Sequence, residues 1–422
     1  MEQTDSLFEH FNDHKKEKKA IQKRWTIVSL SSIPMVMTLG NSMLIPVLPA
    51  LEKELNITSF QTSMVLTVYS IVAIILIPIA GFLSDYIGRK RVMIPSLIIA
   101  GIGGLVSGYA GWKLQDAYWL ILLGRALQGV GAAGAAPIVM PLVGDMFTND
   151  DEVSSTLGLI ETSNTLGKVL SPILGAFLAG IIWFIPFFAF PIFCLISILM
   201  IVFLVKAPKK NEEKTSFKEF IHQTREIFSN NGRWLTAVFI IGGALMFVLF
   251  GVLFYLSDSL EKIYQIKDVK KGCILAIPLG ALCLSSYFTG KKIKEDKVLM
   301  KWITFIGIIL LTIASLALRF FDSLWIMILI FGICGIGIGI SLPCLDALIT
   351  EGIKKEERGT ITSLYSSMRF IGVAAGPPVV ALLMKHSDQW IFYLFAGISL
   401  LTGLFTLFAI KPDGNGSPKK ST

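Results

Sequence analysis

Charge and histidine are scarce in this sequence, and their scarcity excludes whole classes of protein. Of the 422 residues only 16% are charged and 53% are hydrophobic, whereas soluble domains carry about 25% charged residues. No histidine lies well inside an apolar run, so the nucleophile–base sets of many enzymes have no histidine available there. We therefore expect a protein that is not an enzyme. The four histidines are His10, His14, His222 and His386.

Cysteine is also sparse, and its spacing is uninformative. None of the five cysteines forms a metal-type pair, and all of them lie in or beside apolar runs. We therefore expect no disulfide framework, no metal site and no cofactor. The cysteines are Cys194, Cys273, Cys283, Cys334 and Cys344.

Long apolar blocks are what the sequence does have. Its mean hydropathy is +0.68, and the blocks reach roughly the 20 residues that a membrane-spanning helix needs. Backbone groups in hydrocarbon must be hydrogen-bonded within the segment, so these runs must be helices. The sequence predicts an all-α membrane protein with twelve transmembrane helices. The predicted spans are 25–50, 60–84, 92–110, 117–146, 153–180, 184–206, 233–257, 272–290, 298–318, 323–350, 358–384 and 388–410.

A charged central stretch divides the spans into two sets of six. Its apolar residues from Phe217 to Phe228 recur at helical spacing, which predicts an amphipathic helix on the membrane surface. A partner-binding role is the alternative. The predicted segments are a tail at 1–24, a first half at 25–206, a linker at 207–232, a second half at 233–410 and a tail at 411–422.

The positions of Lys and Arg predict the orientation in the membrane. The net charge of +8 comes mainly from both tails, the linker and the loops after spans 2, 8 and 10, which places both termini in the cytoplasm. The positive charge is therefore a topology signal, and the chain has no basic domain for nucleic acid. We expect a monomeric, multi-pass protein of the cell membrane. The outer loops hold few cations: Lys53, Lys113, Lys262, Lys267, Lys270, Lys271, Arg319 and Lys385.

The two halves resemble each other in their glycine and proline pattern. GVGAAGAAP (129–137) in span 4 matches GIGIGISLP (335–343) in span 10, and GKVLSP in span 5 matches GVAAGP in span 11. An acid ends each of spans 4 and 10, Asp145 and Glu351. Duplicated six-helix halves are typical of transporters whose binding site lies between the halves at mid-membrane.

A charged loop between spans 2 and 3 carries a family signature. GFLSDYIGRKRV (81–92) resembles the loop motif of the major facilitator superfamily, and this resemblance covers essentially all twelve spans. It implies the major facilitator fold, with two pseudo-symmetric halves. It also implies that Asp85 faces the start of span 11 and that a loop cation pairs with Asp145. The gating residues so implied are Gly81, Asp85, Gly88, Arg89, Lys90, Arg91 and Asp145.

Three further stretches resemble a narrower branch of that superfamily. LGRALQGVGAAG (123–134), with Arg125, is similar to the span-4 motif of proton-driven antiporters. GKVLSPILGAF (167–177), with Gly167, Pro172 and Gly175, is similar to their span-5 motif, although Ser171 and Ala176 replace glycines. NSMLIPVLP (41–49) is similar to the span-1 motif of drug exporters. Together they imply a drug:proton antiporter.

Five charged residues inside predicted spans are candidates for a functional role: Arg125, Glu161, Lys168, Asp346 and Arg369. Each costs about 2.5–3.5 kcal/mol at mid-bilayer, so it marks a pathway or a paired group. Glu161 and Lys168 share one face of span 5, and their alternative role is a structural ion pair, bridged through Arg125. Asp346 has no cation within a turn in its own span, which favours it as the main proton carrier, with Glu161 secondary. Arg369 either pairs with a backbone carbonyl or binds an anionic group of the substrate.

These observations predict a proton-coupled antiporter that exports small amphipathic, drug-like compounds by alternating access, of the multidrug efflux type. Its partners would be a small-molecule substrate, protons and the lipid bilayer. One alternative is a dedicated exporter of an endogenous metabolite such as a siderophore or lipid precursor. A second is a non-transporting membrane sensor or scaffold, which would predict an added soluble domain.

Overall fold

The computed structural model describes residues 2–147, 150–206, 217–293, 296–321, 323–353 and 358–410. These residues form thirteen α-helices and two short 3-10 turns. The α-helices are α1 (Glu2–Ser42), α2 (Leu48–Glu54), α3 (Ser59–Ile87), α4 (Arg89–Lys113), α5 (Tyr118–Met146), α6 (Asp150–Ile181), α7 (Ile185–Leu204), α8 (Phe217–Lys262), α9 (Asp268–Ile293), α10 (Lys297–Ala317), α11 (Leu324–Gly352), α12 (Arg358–Met384) and α13 (Asp388–Ala409).

Twelve of the described segments are long and apolar enough to cross a membrane. The first span is less regular than the sequence predicted. A 3-10 turn at Ile45–Val47 separates α1 from α2, because Pro46 and Pro49 have no N–H with which to continue the helical ladder. The helix also starts well before residue 25, at Glu2, since the tail consists mainly of helix-forming residues without Gly or Pro.

The expected separate surface helix in the linker is not what the structure shows. From Phe217 onward the linker and span 7 form one continuous helix of 46 residues, α8. Gly232 does not end it, since one glycine inside a helix costs only about 1 kcal/mol. The rest of the linker, 207–216, and the predicted tail at 411–422 lie outside the described residues.

Local sequence signals explain where several helices begin and end. Thr58 and Gln61 form a capping box at the start of α3, and Asp296 accepts hydrogen bonds from two backbone N–H groups at the start of α10. Gly88 separates α3 from α4 with a φ of 104°, a conformation that favours glycine. The gating loop is therefore a single-residue break between two helices.

Glycine lets the helices within each half pack backbone to backbone. A Cβ atom on Gly131 of α5, within the repeated stretch 129–137, would overlap the carbonyl oxygen of Ser96 in α4. In the second half, a Cβ atom on Gly307 of α10 would lie 2.6 Å from the carbonyl oxygen of Gly337 in α11. The glycine pattern that repeats between the halves thus has the same use in both, which is close helix contact.

The two halves meet mainly along two helix pairs, α3 with α12 and α6 with α9. Thr67 Oγ1 of α3 donates to the carbonyl oxygen of Ala374 in α12 at 2.7 Å. A Cβ atom on Gly272 of α9 would overlap the carbonyl oxygen of Pro172 in α6. We call the bundle end that holds Gly88 the inner end and the end that holds α2 the outer end.

Candidate functional site

The gating loop at the inner end is organised around one arginine. Arg89 forms an ion pair with Asp85, and its Nε donates to Asp145 Oδ2 at 3.1 Å. Its Nη1 donates to Ser84 Oγ at 2.8 Å. The contact between a loop cation and Asp145 that the resemblance implies is therefore present, and Arg89 makes it. This arginine joins the ends of α3, α4 and α5 within the first half.

The start of α12 lies beside this arginine cluster. Asp85, Arg89, Gly359 and Thr360 line one small cavity, together with Pro141 of α5. The first N–H groups of a helix carry partial positive charge, so a carboxylate nearby is favoured there. This places Asp85 next to the helix end that the resemblance implied. The other acid from the repeat, Glu351, has a side chain outside the described part of the chain.

The other two loop cations make different contacts. Lys90 Nζ donates to the carbonyl oxygens of Val202 and Val205 at 3.1 and 2.8 Å, where α7 ends. It therefore satisfies free carbonyl groups at a helix C-terminus within the first half. Arg91 is exposed, and within the described part of the chain it donates only to the carbonyl oxygen of Ile87, at 3.5 Å. The sequence grouped all three cations by position, whereas their contacts separate Arg89 from Lys90 and Arg91.

Arg125 is fully buried and surrounded by neutral acceptors. Its exposed fraction is 0%. Nε donates to the carbonyl oxygen of Val65 and Nη2 to Asn41 Oδ1, both at 2.7 Å, and Nη1 bonds to Gln128 Oε1. The guanidinium also stacks 4.5 Å above the ring of Tyr69. Arg125 thus fixes α5 against α1 and α3. The structural alternative, in which Arg125 bridges Glu161 and Lys168, is wrong.

The partners of Arg125 could be anticipated only in part. Asn41 begins the span-1 motif and Gln128 lies one turn after the arginine, so both were inside quoted motifs, but neither carried a role. A buried arginine needs several acceptors to offset its desolvation. That requirement predicts polar partners, although it does not say which residues supply them.

Four of the predicted charges lie together between the halves. Lys168 of α6 lies within electrostatic range of Glu161, Asp346 and Arg369. Arg369 Nη1 of α12 lies 3.6 Å from Asp346 Oδ1 of α11. We call Glu161, Lys168, Asp346 and Arg369 the central charge cluster. It takes one acid and one base from each half.

The structure corrects the reason for choosing Asp346 as the main proton carrier. The sequence shows no cation near Asp346 within its own span, yet α12 brings Arg369 to it from another helix. Glu161 and Lys168, both with described side chains, are not within ion-pair distance of each other. Glu161 accepts instead from Asn164 Nδ2 at 3.3 Å. Sequence spacing suggested a pair of Glu161 with Lys168 on one helix. The structure instead pairs Asp346 of α11 with Arg369 of α12.

The central charges differ from Arg125 in their exposure. The Asp346 side chain is 39% exposed and that of Arg369 is 20% exposed. Their long 3.6 Å contact and partial exposure leave both groups accessible to a ligand or water between the halves. A pair with this geometry is easily exchanged for another partner, unlike the saturated bonds of Arg125.

Aromatic side chains border this cluster on one side. The Arg369 guanidinium lies 5.7 Å from the ring centre of Tyr365, and Tyr69 and Phe370 contact across the halves at 6.2 Å between ring centres. Phe250 and Phe254 of α8 are instead buried in the core of the second half.

The predicted antiporter motif lies on the packing face of α6. A Cβ atom on Gly167 would lie 3.1 Å from the carbonyl oxygen of Met35, and one on Gly175 would overlap that of Met43. Pro172 lies opposite Gly272 of the other half. These small residues hold α6 close to α1 and α9, and so position Glu161 and Lys168 on the same helix.

Comparison with known families agrees with this architecture. The family model described as Major Facilitator Superfamily matches residues 30–377 and 296–422. The chain belongs to the major facilitator superfamily. A solved structure, the human organic anion transporter MFSD10 (TETRAN), matches with a TM-score of 0.72 and 17% identity over 91% of this chain and 99% of that one. At that identity the match shows the fold alone, with its two six-helix halves.

The relatives of known function are exporters and resistance proteins. The chain is 56% identical to the bacillibactin exporter of Bacillus subtilis (strain 168), over 91% of this chain and 96% of the relative. It is 26% identical to multidrug resistance protein 2 of the same organism, over 92% and 96%. It is 25% identical to the class B tetracycline resistance protein of Escherichia coli, over 93% and 99%. The chain is thus a multi-pass membrane transporter, and its substrate is the open question.

Proposed function

We propose that this protein is a dedicated siderophore exporter whose substrate is bacillibactin or a close chemical relative. The observation that carries this proposal is the 56% identity to a bacillibactin exporter over nearly the full length of both chains. Identity to the drug-resistance relatives is less than half as high. The endogenous-metabolite alternative is therefore favoured over general drug export.

The central charge cluster supports a mechanism of alternating access. It lies between the halves, where a substrate would be reached from one end and then from the other. Arg369 and Lys168 offer a cation from each half to an anionic group of the substrate. Such a group would replace Asp346 at Arg369, since that contact is long and partly exposed.

We propose proton coupling through the same cluster. An antiporter needs a group that is protonated in one state and ionised in the other, and a carboxylate is the candidate because no histidine lies well inside a span. Asp346 is the better carrier because its side chain is accessible and its cation lies on another helix, where a movement can separate the two. Glu161 is the secondary acid. We also propose cytoplasmic termini, in the cell membrane, from the distribution of Lys and Arg.

Transport by the purified protein in liposomes tests the substrate. Under an imposed pH gradient, we expect bacillibactin to accumulate only in vesicles that contain the protein, and accumulation to stop when the gradient is collapsed. A panel of amphipathic drugs is measured in parallel. Transport of drugs without transport of bacillibactin would contradict the proposal.

Drug export is the second candidate, and a separate observation favours it. The stretch with Arg125 and the stretch from Gly167 to Gly175 resemble motifs of drug:proton antiporters, and several relatives are resistance proteins. The same liposome panel distinguishes the two, because a drug exporter should transport several unrelated compounds at comparable rates.

A further inference from the structure

The outer loop between spans 7 and 8 is an exception to the charge distribution of this protein. It holds Lys262, Lys267, Lys270 and Lys271, half of the cations that the sequence places outside. Lys267 and Lys270 are exposed, but Lys271 is buried with 1% of its surface accessible. A buried ammonium group is costly unless it is fully paired, so its partners show what it does.

Lys271 connects the two halves of the protein. Its Nζ donates to Glu261 Oε2 at 2.7 Å within the second half and to the carbonyl oxygen of Pro46 at 2.8 Å in the first half. Pro46 belongs to the 3-10 turn between α1 and α2, where the regular helical ladder is interrupted. The neighbouring carbonyl oxygen of Ile45 accepts from Ser257 Oγ at 2.8 Å, again across the halves.

Lys262 makes a second connection between the two halves. Its Nζ lies 2.8 Å from Asp258 Oδ1 in the second half and 2.9 Å from Glu52 Oε1 in the first. It also donates to Ser59 Oγ at 3.2 Å, and Ser59 Oγ donates to the same Glu52 oxygen at 3.0 Å. Each lysine thus pairs with one acid of its own half and donates to the opposite half, Lys262 to two oxygens and Lys271 to one.

We propose that Lys262 and Lys271 close the outer end of the transporter, and that both contacts to the first half must break before substrate leaves. We call Glu52, Asp258, Glu261, Lys262 and Lys271 the outer latch. The inference rests on the alternating access of the proposed function, but not on the identity of the substrate. When the halves separate, each lysine retains its own acid, Asp258 or Glu261, so opening does not strand an unpaired cation.

The retained pairs set the size of the effect on opening. Breaking the latch loses the bonds to Glu52, Ser59 and Pro46, but it leaves the ion pairs inside the second half intact. Removing one hydrogen bond to a charged group should therefore shift the equilibrium between the outer-closed and outer-open states by about tenfold. The latch therefore biases the protein toward the outer-closed state without locking it there.

A cysteine at the outer interface measures this bias directly. Thr62 is buried with 1% exposure and lines a small cavity with Glu52 and Asp258. In a background without the five native cysteines, a Thr62→Cys reporter should react slowly with a membrane-impermeant maleimide added from outside. Lys271→Met and Lys262→Met should each raise that rate about tenfold, the change expected from one lost charged bond.

Matched controls lie next to the latch residues. Lys270→Met removes an exposed lysine beside Lys271, and Glu54→Gln removes an exposed acid two residues from Glu52. Both should leave the labelling rate of the reporter within twofold. If Lys271→Met does not fold, judged by size-exclusion chromatography, two other variants replace it. The double variant Glu261→Gln/Lys271→Met removes the contact to Pro46 without leaving an unpaired acid, and Ser257→Ala removes the neighbouring bond to Ile45.

Labelling requires neither substrate nor a pH gradient, so its outcome is separate from that of the transport assay. Faster labelling in the lysine variants with unchanged controls supports the latch, even if bacillibactin is not transported. Unchanged labelling in folded Lys262→Met and Lys271→Met, or an equal increase in Lys270→Met, would overturn it even if transport of bacillibactin is demonstrated.

Discussion

The outer and inner ends of the bundle hold charged clusters of similar size but opposite arrangement. At the outer end, Lys262 and Lys271 come from the second half and contact oxygens of the first. At the inner end, Arg89 contacts Asp85 and Asp145, which belong to its own half. The second half contributes the start of α12 to the cavity beside this arginine.

This difference indicates that the two ends close by different means. The outer contacts cross between the halves, so they must break whenever that end opens. The contacts of Arg89 with Asp85 and Asp145 lie inside the first half, so they persist when the halves separate and keep a preformed surface for α12. A substitution in the outer latch should therefore shift the equilibrium between the outer-closed and outer-open states. A substitution of Arg89 should instead disrupt the surface that faces the start of α12.

The largest effect that this comparison predicts is at Arg89. Arg89→Ala leaves Asp85 and Asp145 without the cation they share and uncouples α3, α4 and α5 at the inner end. We expect transport in liposomes to fall by more than tenfold, because Arg89 joins the ends of these three helices beside the start of α12. Arg91→Ala, an exposed neighbour with one weak contact, is the matched control and should retain transport within twofold. Equal loss in both variants would contradict a special role for Arg89.

Asp346→Asn should have a narrower effect, confined to gradient-driven transport, because it acts on the site between the two ends. Neutralising Asp346 should remove transport driven by a pH gradient while sparing substrate binding, since asparagine cannot exchange a proton. Binding is measured on the detergent-purified protein and uptake in liposomes. Glu161→Gln should impair transport less, because Glu161 is the secondary acid and accepts from Asn164 without an ion pair to Lys168. Undiminished gradient-driven transport in Asp346→Asn would move the proton to Glu161 or exclude both acids.

The smallest effect on transport is expected at Lys90. It separates the role of Lys90 from that of Arg89 at the inner end. Lys90→Met loses two bonds to carbonyl groups at the end of α7, which should lower the stability of the first half by roughly 1–2 kcal/mol. Transport per folded molecule should stay within twofold of the parent, because Lys90 contacts neither Asp85 nor α12. Thermal unfolding of the purified protein measures the first effect and liposome uptake the second. A transport loss as large as that of Arg89→Ala would show that the loop cations act together.

Much of the fold could be predicted because its signals are local. Apolar runs long enough to cross a bilayer predicted the twelve spans within a few residues, apart from the break at Ile45–Val47 and the long helices α1 and α8. The repeated glycines predicted two related halves, since close helix packing needs small residues at fixed positions. The loop motif likewise contains Gly88, the residue at which α3 gives way to α4.

The candidate site was predicted only as a set of residue types. The cost of a charge in hydrocarbon marked Glu161, Lys168, Asp346 and Arg369, and all four do lie together. The same cost marked Arg125, whose partners are the neutral groups of Val65, Asn41 and Gln128. The free-energy cost of placing a charge in hydrocarbon identifies a residue that needs a partner. Which residue becomes that partner depends on which helix faces meet.

The sequence by itself determined that this protein crosses the membrane as twelve helices in two halves, because membrane insertion is a sum over neighbouring residues. It marked Lys262 and Lys271 only as two more outer-loop cations. The tertiary structure alone decided that both connect the halves, because their partners Glu52 and Pro46 are more than 200 residues away along the chain. Such a contact exists only once the turn after α1 is packed against α8 and α9, and no local pattern in the sequence encodes that meeting.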